Sequence, residues 1–359
     1  MYSDSREPVV LVSSAEFALK SSPVRRTLEQ RLIDDLKFAM RKSNFRNVTA
    51  EKSAGRIVLQ GVMDSKVAAH ICARVFGVAH AVPAMRVDCS RDRIVREIVQ
   101  LAKESLSDDQ SFGIRCHRSS PSAISPHEVE VLGGSAVLKE VGKRNIEVNL
   151  RKPDLWISVD LSGESAYVYS SKISGPGGLP LSSQWKMVCI LDADVLSVFA
   201  SYVMMRRGCL VQLLIPSSTM DDQSSLDRPL ALARKLRRFV TRENYRAFIL
   251  KHHYQSHQKV FIRLMCLNLA RRRRFKGIIF ADVDGSIHFE ERLFEKSREL
   301  GLPVFQPLAG FGQDDLVELG RIFDVEWAEI KSALSPESST SVESSFLDLS
   351  DFTVEEISL

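Results

Sequence analysis

Apolar and polar positions alternate along this chain in three successive rhythms. In the first, an apolar run at residues 9–12 precedes a helical stretch at 27–40, where Leu28, Leu32, Leu36 and Met40 recur at four-residue spacing on one face. Residues 48–50 and 56–60 read as two strands and 65–75 as a second helix, which together make a small α+β domain. From Gly77 the rhythm changes. A strand in F-G-V-A-H-A-V-P, a helix at 91–105, a strand in S-F-G-I-R-C-H-R, a helix at 125–135 and strands at 145–149 and 155–161 give the order β-α-β-α-β-β. Beyond Ser174, short apolar runs at 187–191, 209–215, 247–251, 277–281 and 303–305 alternate with helical spacing at 197–207, 226–240, 259–273, 290–300 and 314–323. Buried strands separated by helices at this spacing imply a doubly wound parallel sheet with both faces covered.

Composition narrows the class. At 359 residues, with 44% hydrophobic and 26% charged content, the chain buries real cores and divides into two or three domains. No apolar run approaches the roughly 18 residues of a membrane span, and the start M-Y-S-D-S-R-E-P lacks the charged and apolar regions of a signal peptide, so a cytoplasmic location is expected and a membrane partner is not. The cysteines are scattered without a C-x-x-C pair, which suggests neither a disulfide framework nor a zinc ribbon. The formal charge of +4 hides an asymmetry: every Lys and Arg lies at or before Lys331, and six acidic residues follow it, so residues 1–331 carry +10. Such a body suits a polyanionic partner.

In an open parallel sheet, anions bind between a strand's carboxyl end and the next helix, where unsatisfied backbone N–H groups and the helix dipole both point outward. Here that position is residues 192–197, and it carries Asp192 and Asp194, whose charges oppose a phosphate. The scaffold invites a nucleotide and the side chains discourage one.

Several ordered motifs, E-F-A-L-K-S-S-P-V-R-R-T-L-E, F-G-V-A-H-A-V-P, S-F-G-I-R-C-H-R, R-K-P-D-L-W-I-S-V-D and G-P-G-G-L-P, together resemble the tRNA 4-thiouridine synthetases, or tRNA sulfurtransferases, over about residues 8–330. The resemblance implies a ferredoxin-like domain at 1–76, an RNA-binding THUMP domain at 77–170 and a PP-loop ATP pyrophosphatase domain of the adenine nucleotide alpha hydrolase type at 171–332; beyond it, the acidic, serine-rich composition of 333–359 reads as a disordered tail. By the same resemblance Lys20, Arg25, Arg26, Arg115, His117 and Arg118 are candidates for holding the acceptor end of tRNA, and a homodimer is reasonable.

The family's S-G-G-x-D-S motif aligns with Asp192, Ala193, Asp194, Val195, Leu196 and Ser197, of which only Ser197 matches. A Cβ and carboxylate at Asp194 obstruct the close approach of backbone to pyrophosphate that glycine allows, and Leu196 replaces the aspartate expected near Mg²⁺-ATP. The T-G-E-S-L-G-Q signature is replaced by F-A-D-V-D-G-S, and Gln255 and Gln258 stand at the paired cysteine positions of archaeal relatives. A degenerate nucleotide site at Asp192, Asp194, Leu196 and Ser197 follows, with no cofactor expected. ATP and Mg²⁺ return only if a divergent loop is active, with Ser197 and Lys186 as phosphate contacts.

Three further clusters have two readings each. Asp192, Asp194, Asp282 and Asp284 either share a Mg²⁺ or Ca²⁺ ion across the switch point or cap helices and face solvent. His252, His253 and His257 either bind a metal or belong to a loop near RNA. Arg271 to Arg274 either complement a helix carboxyl end or contact phosphates. The expected function is tRNA binding in tRNA modification, presenting tRNA to a partner enzyme, with an active ATP-dependent sulfurtransferase as the alternative. The acidic segment after Trp327 is a docking peptide, a cover for a basic surface, or disorder without function.

Overall fold

In a computed structural model the chain is described except for residues 1–5, 15, 18–19, 54, 192–193, 218–223, 244, 253–258, 284–290 and 335–351. It divides into two units, Met1–Gly178 and Leu179–Leu359.

The first unit is built from β1 (Glu7–Ser13), α1 (Ser22–Lys42), β2 (Thr49–Ser53), β3 (Arg56–Gln60), α2 (Ser65–Cys72), β4 (His80–Asp88), α3 (Arg91–Ser105), β5 (Ser111–Arg118), α4 (Pro126–Val141), β6 (Glu147–Val148), β7 (Leu155–Ser162), β8 (Ser165–Tyr169) and β9 (Ile173–Ser174). The strands form one sheet in the order β2-β3-β1-β4-β8-β7-β5-β6, with β9 also on β4. β4 serves both halves: it pairs antiparallel with β1 through His80 to Arg86 and with β8 through Met85 to Asp88.

This sheet is strongly curled. β3 and β7 are four strand spacings apart, about 19 Å if the sheet were flat. Yet Arg56 of β3 pairs with Asp160 of β7, and Ser53 Oγ lies 3.2 Å from Ser162 Oγ. Arg86 of β4 likewise reaches Glu51 of β2 at 3.5 Å. The concave face holds a core of Val9, Leu11, Val58, Val82, Ala84 and Tyr167, contributed entirely by strands. The convex face of the second half is covered by helices, with Ile94 and Ile98 of α3 and Val129 and Val137 of α4 packed on Phe112, Ile114, Ile157 and Val159.

Two expectations change here. α4 runs to Val141 rather than stopping near residue 135, because Gly133 is a packing residue: a Cβ there would sit 2.9 Å from methyl carbons of both Ile114 and Ile98. The strand expected at 145–149 shrinks to Glu147–Val148, while β8 and β9 add strands that the alternation at 155–161 does not announce.

The second unit comprises β10 (Lys186–Ile190), α5 (Leu196–Arg206), β11 (Leu210–Ser217), α6 (Ser224–Arg237), β12 (Arg246–His252), α7 (Lys259–Arg272), β13 (Ile278–Ile279), α8 (Glu291–Leu300), β14 (Val304–Phe305), α9 (Gln313–Phe323), α10 (Trp327–Leu334) and β15 (Phe352–Ser358). The sheet order is β14-β13-β10-β11-β12-β15, parallel except for β15. Between β13 and β11, β10 is the central strand and its Met187, Val188 and Cys189 are wholly buried. α5 is apolar nearly all round and is buried from Leu196 to Tyr202, where Phe199 and Tyr202 meet Phe323 edge-on or tilted. Gly208 ends the α5 turn at φ 88°, and a Cβ there would lie 2.3 Å from Ser183 Oγ.

The disordered tail is corrected over its last part. Phe352–Ser358 is a strand that pairs antiparallel with β12, because its alternating side chains meet a sheet edge whose N–H and C=O groups would otherwise face water.

Candidate nucleic-acid interface

β5 shows how alternation sorts chemistry. Phe112, Ile114 and Cys116 point into the core, which leaves Arg115 and His117 on the opposite, exposed face. They lie in register with Ser158 and Asp160 of β7. Gly113 is the device that shapes this face. A Cβ at Gly113 would be 2.7 Å from Trp156 Cζ3 and 2.9 Å from Asn149 O, so only glycine lets the Trp156 ring lie against the strand. The Arg115 guanidinium then sits 5.2 Å from the Trp156 ring centroid, and its Nε donates to Ser158 Oγ at 2.8 Å. Among the described residues Arg115 has no carboxylate partner. It is a fixed cation with unspent charge.

Asp160, only 2% exposed, is engaged elsewhere: Arg56 and the Tyr169 hydroxyl, at 3.2 Å, both donate to its Oδ2. Burial pushes the Tyr169 hydroxyl pKa up, and the Asp160 charge pushes it further, so Tyr169 stays a donor. Beside this face the R-K-P-D turn is closed by Asn149, whose Oδ1 accepts from the amides of Arg151 and Lys152 at 3.0 Å each, leaving both side chains exposed.

The other three basic candidates surround the start of α1. Lys20 and Arg26 are exposed, and Arg25 donates to Glu29 at 2.7 Å. Burial alone would raise the Glu29 pKa, but hydrogen bonds from Lys52 and Arg25 bring it below the ordinary value. The first turn of α1 has no acidic residue, and its Ser21 cap makes no side-chain hydrogen bond. Two arginines at a helix amino end run against the dipole, an arrangement that an added anion relieves.

The structure thus places Arg115 and His117 on one sheet face. Arg118 falls on the opposite parity at the strand end, and Lys20, Arg25 and Arg26 form a separate group at α1. Sequence reading missed Gly113, Trp156 and Ser158. The last two stand in W-I-S with period two, a signal readable only once their strand is paired with β5.

At the carboxyl end of β10 the nucleotide position is filled from within. Asp194 Oδ1 accepts from Ser197 N at 3.1 Å and from Ser197 Oγ at 3.4 Å, and Leu196 and Ser197 are buried. The helix amide that would meet a phosphate therefore meets a carboxylate of its own chain. Lys186 opens β10 and stands at the opposite end of that strand from α5, so it does not share a phosphate site with Ser197. β10 and β13 are neighbours, as the switch point requires, but Asp282 is held by Arg263 Nη2 at 2.7 and 2.8 Å and by Gln306 at 3.2 Å. Among the described residues no group of three or more metal-ligating side chains occurs. Asp192 and Asp284, together with His253, His257, Gln255 and Gln258, lie outside the described residues, as does the side chain of His252. No helix among the described residues is long and apolar enough to cross a membrane.

Comparison with known proteins agrees with this architecture. A family model described as the ThiI ferredoxin-like domain matches residues 9–82, and one described as the THUMP domain matches residues 90–171. A probable tRNA sulfurtransferase of Methanosarcina mazei is 26% identical over 339 residues, covering 89% of this chain and 83% of that protein. One from Methanothermobacter thermautotrophicus is 34% identical over 209 residues, covering 56% of this chain and 51% of its own length. A crystal structure of a Pyrococcus horikoshii protein superposes with a TM-score of 0.70 at 24% identity, covering 89% of this chain and all of that one. Another, of a 4-thiouridine synthetase bound to RNA and ATP, superposes at 0.68 with 16% identity, covering 88% and 85%. These two are likenesses of fold. The chain therefore carries a ThiI ferredoxin-like domain and a THUMP domain ahead of a parallel-sheet domain, and its resemblance to the tRNA sulfurtransferases extends along nearly its whole length.

Proposed function

We propose that this protein binds the acceptor end of tRNA through its first unit and acts in tRNA modification, of the thiolation type, without ATP-binding or sulfur-transfer chemistry of its own. The tandem of ferredoxin-like and THUMP matches carries the RNA part of this reading. The Arg115–Trp156–Ser158 arrangement supports it, since an exposed guanidinium held in one orientation beside exposed His117 suits recognition of an RNA backbone by shape. The loss of chemistry is inferred from Asp194, whose carboxylate takes the Ser197 amide, and from Leu196, which supplies no ligand. In the cell such a protein would present tRNA to a partner enzyme, in the cytoplasm, alone or as a homodimer.

An active sulfurtransferase with a divergent loop is the second reading, favoured by likeness to tRNA sulfurtransferases that continues through the parallel-sheet unit. Calorimetric titration with Mg²⁺-ATP, with and without a tRNA transcript, separates the two. The proposal expects tRNA binding and no ATP heat. Micromolar ATP binding would make the enzyme the better reading, and absence of tRNA binding would remove the RNA reading.

A further inference from the structure

At the amino end of the second unit's sheet, away from the α5 start, two arginines converge on one carboxylate and a lysine stands on the neighbouring ring. Lys186 opens β10, Arg246 opens β12 and Arg273 follows α7. Glu356, from β15, stands in register with Phe248 of β12. Arg246 Nη1 donates to Glu356 Oε1, and Arg273 Nη1 lies 3.3 Å from Oε2. The cations rest on an aromatic base. The Arg273 guanidinium is 5.2 Å from the Phe248 ring centroid, Lys186 Nζ is 4.9 Å from that of Phe275, and the two rings meet edge-on at 6.1 Å. Burial lowers the Lys186 pKa, and while Glu356 partly restores it, Arg273 and Arg246 depress it further. One carboxylate against three cations leaves positive charge in excess, the balance that a phosphate corrects better than a glutamate.

The element that brings Glu356 is itself exceptional. β15 is the sole antiparallel strand among the described strands of this sheet and sits at its edge, joined to α10 through residues 335–351. It carries a second acid onto the same edge, Glu355 on Lys251 at 2.8 Å. An edge strand held by one ladder and a few ion pairs is among the easiest elements to displace.

We propose that Lys186, Arg246 and Arg273 form a binding site for an RNA backbone phosphate, and that β15, through Glu356, is its built-in competitor. This rests on the reading of the protein as a tRNA binder and assigns that function a second contact region. The site lies at the opposite end of β10 from the nucleotide position.

The test is anisotropy titration of a labelled tRNA transcript over a salt series, using the full chain, Glu356→Gln, Glu356→Gln with Arg273→Ala, and Arg115→Ala. Glu356→Gln is expected to bind about five- to tenfold more tightly at ~0.1 M salt, with a log–log salt slope steeper by about one, as one further phosphate is neutralised. Arg273→Ala should cancel that gain. Hydrogen exchange should show residues 352–358 losing protection when tRNA binds. Unchanged affinity and slope for Glu356→Gln, a gain that survives Arg273→Ala, or β15 still protected in the complex would each overturn the proposal. If Arg115→Ala still weakens binding in those cases, the tRNA reading stands without this site. If the unmodified chain binds no tRNA, both fall.

Discussion

Arg115 is a long, flexible cation made rigid by two neighbours, the Trp156 ring and Ser158 Oγ. Its replacement by Ala should weaken tRNA binding by about five- to tenfold at ~0.1 M salt and flatten the log–log salt slope by about one, measured by anisotropy. Arg115→Lys should recover little of the loss, because an ammonium cannot reproduce a planar group that stacks and donates at once. His80 offers a separate measurement. Burial, and then the charge of Lys172, hold its pKa below the ordinary value, and its Nδ1 is buried without a hydrogen-bond partner among the described residues. The unfolded chain therefore takes up more protons at this position below about pH 6.5, so folding stability contributed here is present above that pH and lost as pH falls through the folded value. Urea denaturation from pH 7 to pH 5 should show this decline, and His80→Gln should flatten it.

At the scale of elements, the curl of the first unit's sheet depends on contacts between strands that are not neighbours. Asp160 is the buried partner of Arg56, with side-chain exposures of 3% and 35%. Asp160→Ala strands a part-buried guanidinium and the Tyr169 hydroxyl, and should cost about 2–3 kcal/mol in urea denaturation. Arg56→Ala leaves a buried carboxylate and should cost at least as much. The double variant should lose clearly less than the sum of the two, since each single change already removes the pair. Additive losses would show that the curl is held by the strand core of Val9, Leu11 and Val58 alone.

The whole chain combines a basic body with an acidic terminal segment, and the structure gives that segment a place. Removing residues 335–359 takes away a complete seven-residue edge strand from β12. The shortened protein should lose stability and, with the β12 edge uncovered, associate in a concentration-dependent way in sedimentation experiments. A truncated chain as stable and monomeric as the full one would mean that β15 is a dispensable appendage. The Glu356 substitutions keep this edge covered, which separates the charge question from the folding question.

Much of this organisation was legible in the residues. Periodicity located most strands and helices, and the motif order indicated ferredoxin-like and THUMP domains that the family comparisons bear out. These features depend on neighbours in sequence, through side-chain alternation and backbone sterics. Other features required the fold. The helix read at 125–135 runs on to Val141, and the packing of Gly133 against Ile98 and Ile114 shows only in the fold. Residues 352–358 read as an acidic tail until β12 supplies a ladder, and Glu356 becomes a charge partner only when Arg246 and Arg273 arrive from far along the chain. Pairing across a hundred residues and the curl of a sheet are set by which surfaces can be buried together, and no local pattern records that choice.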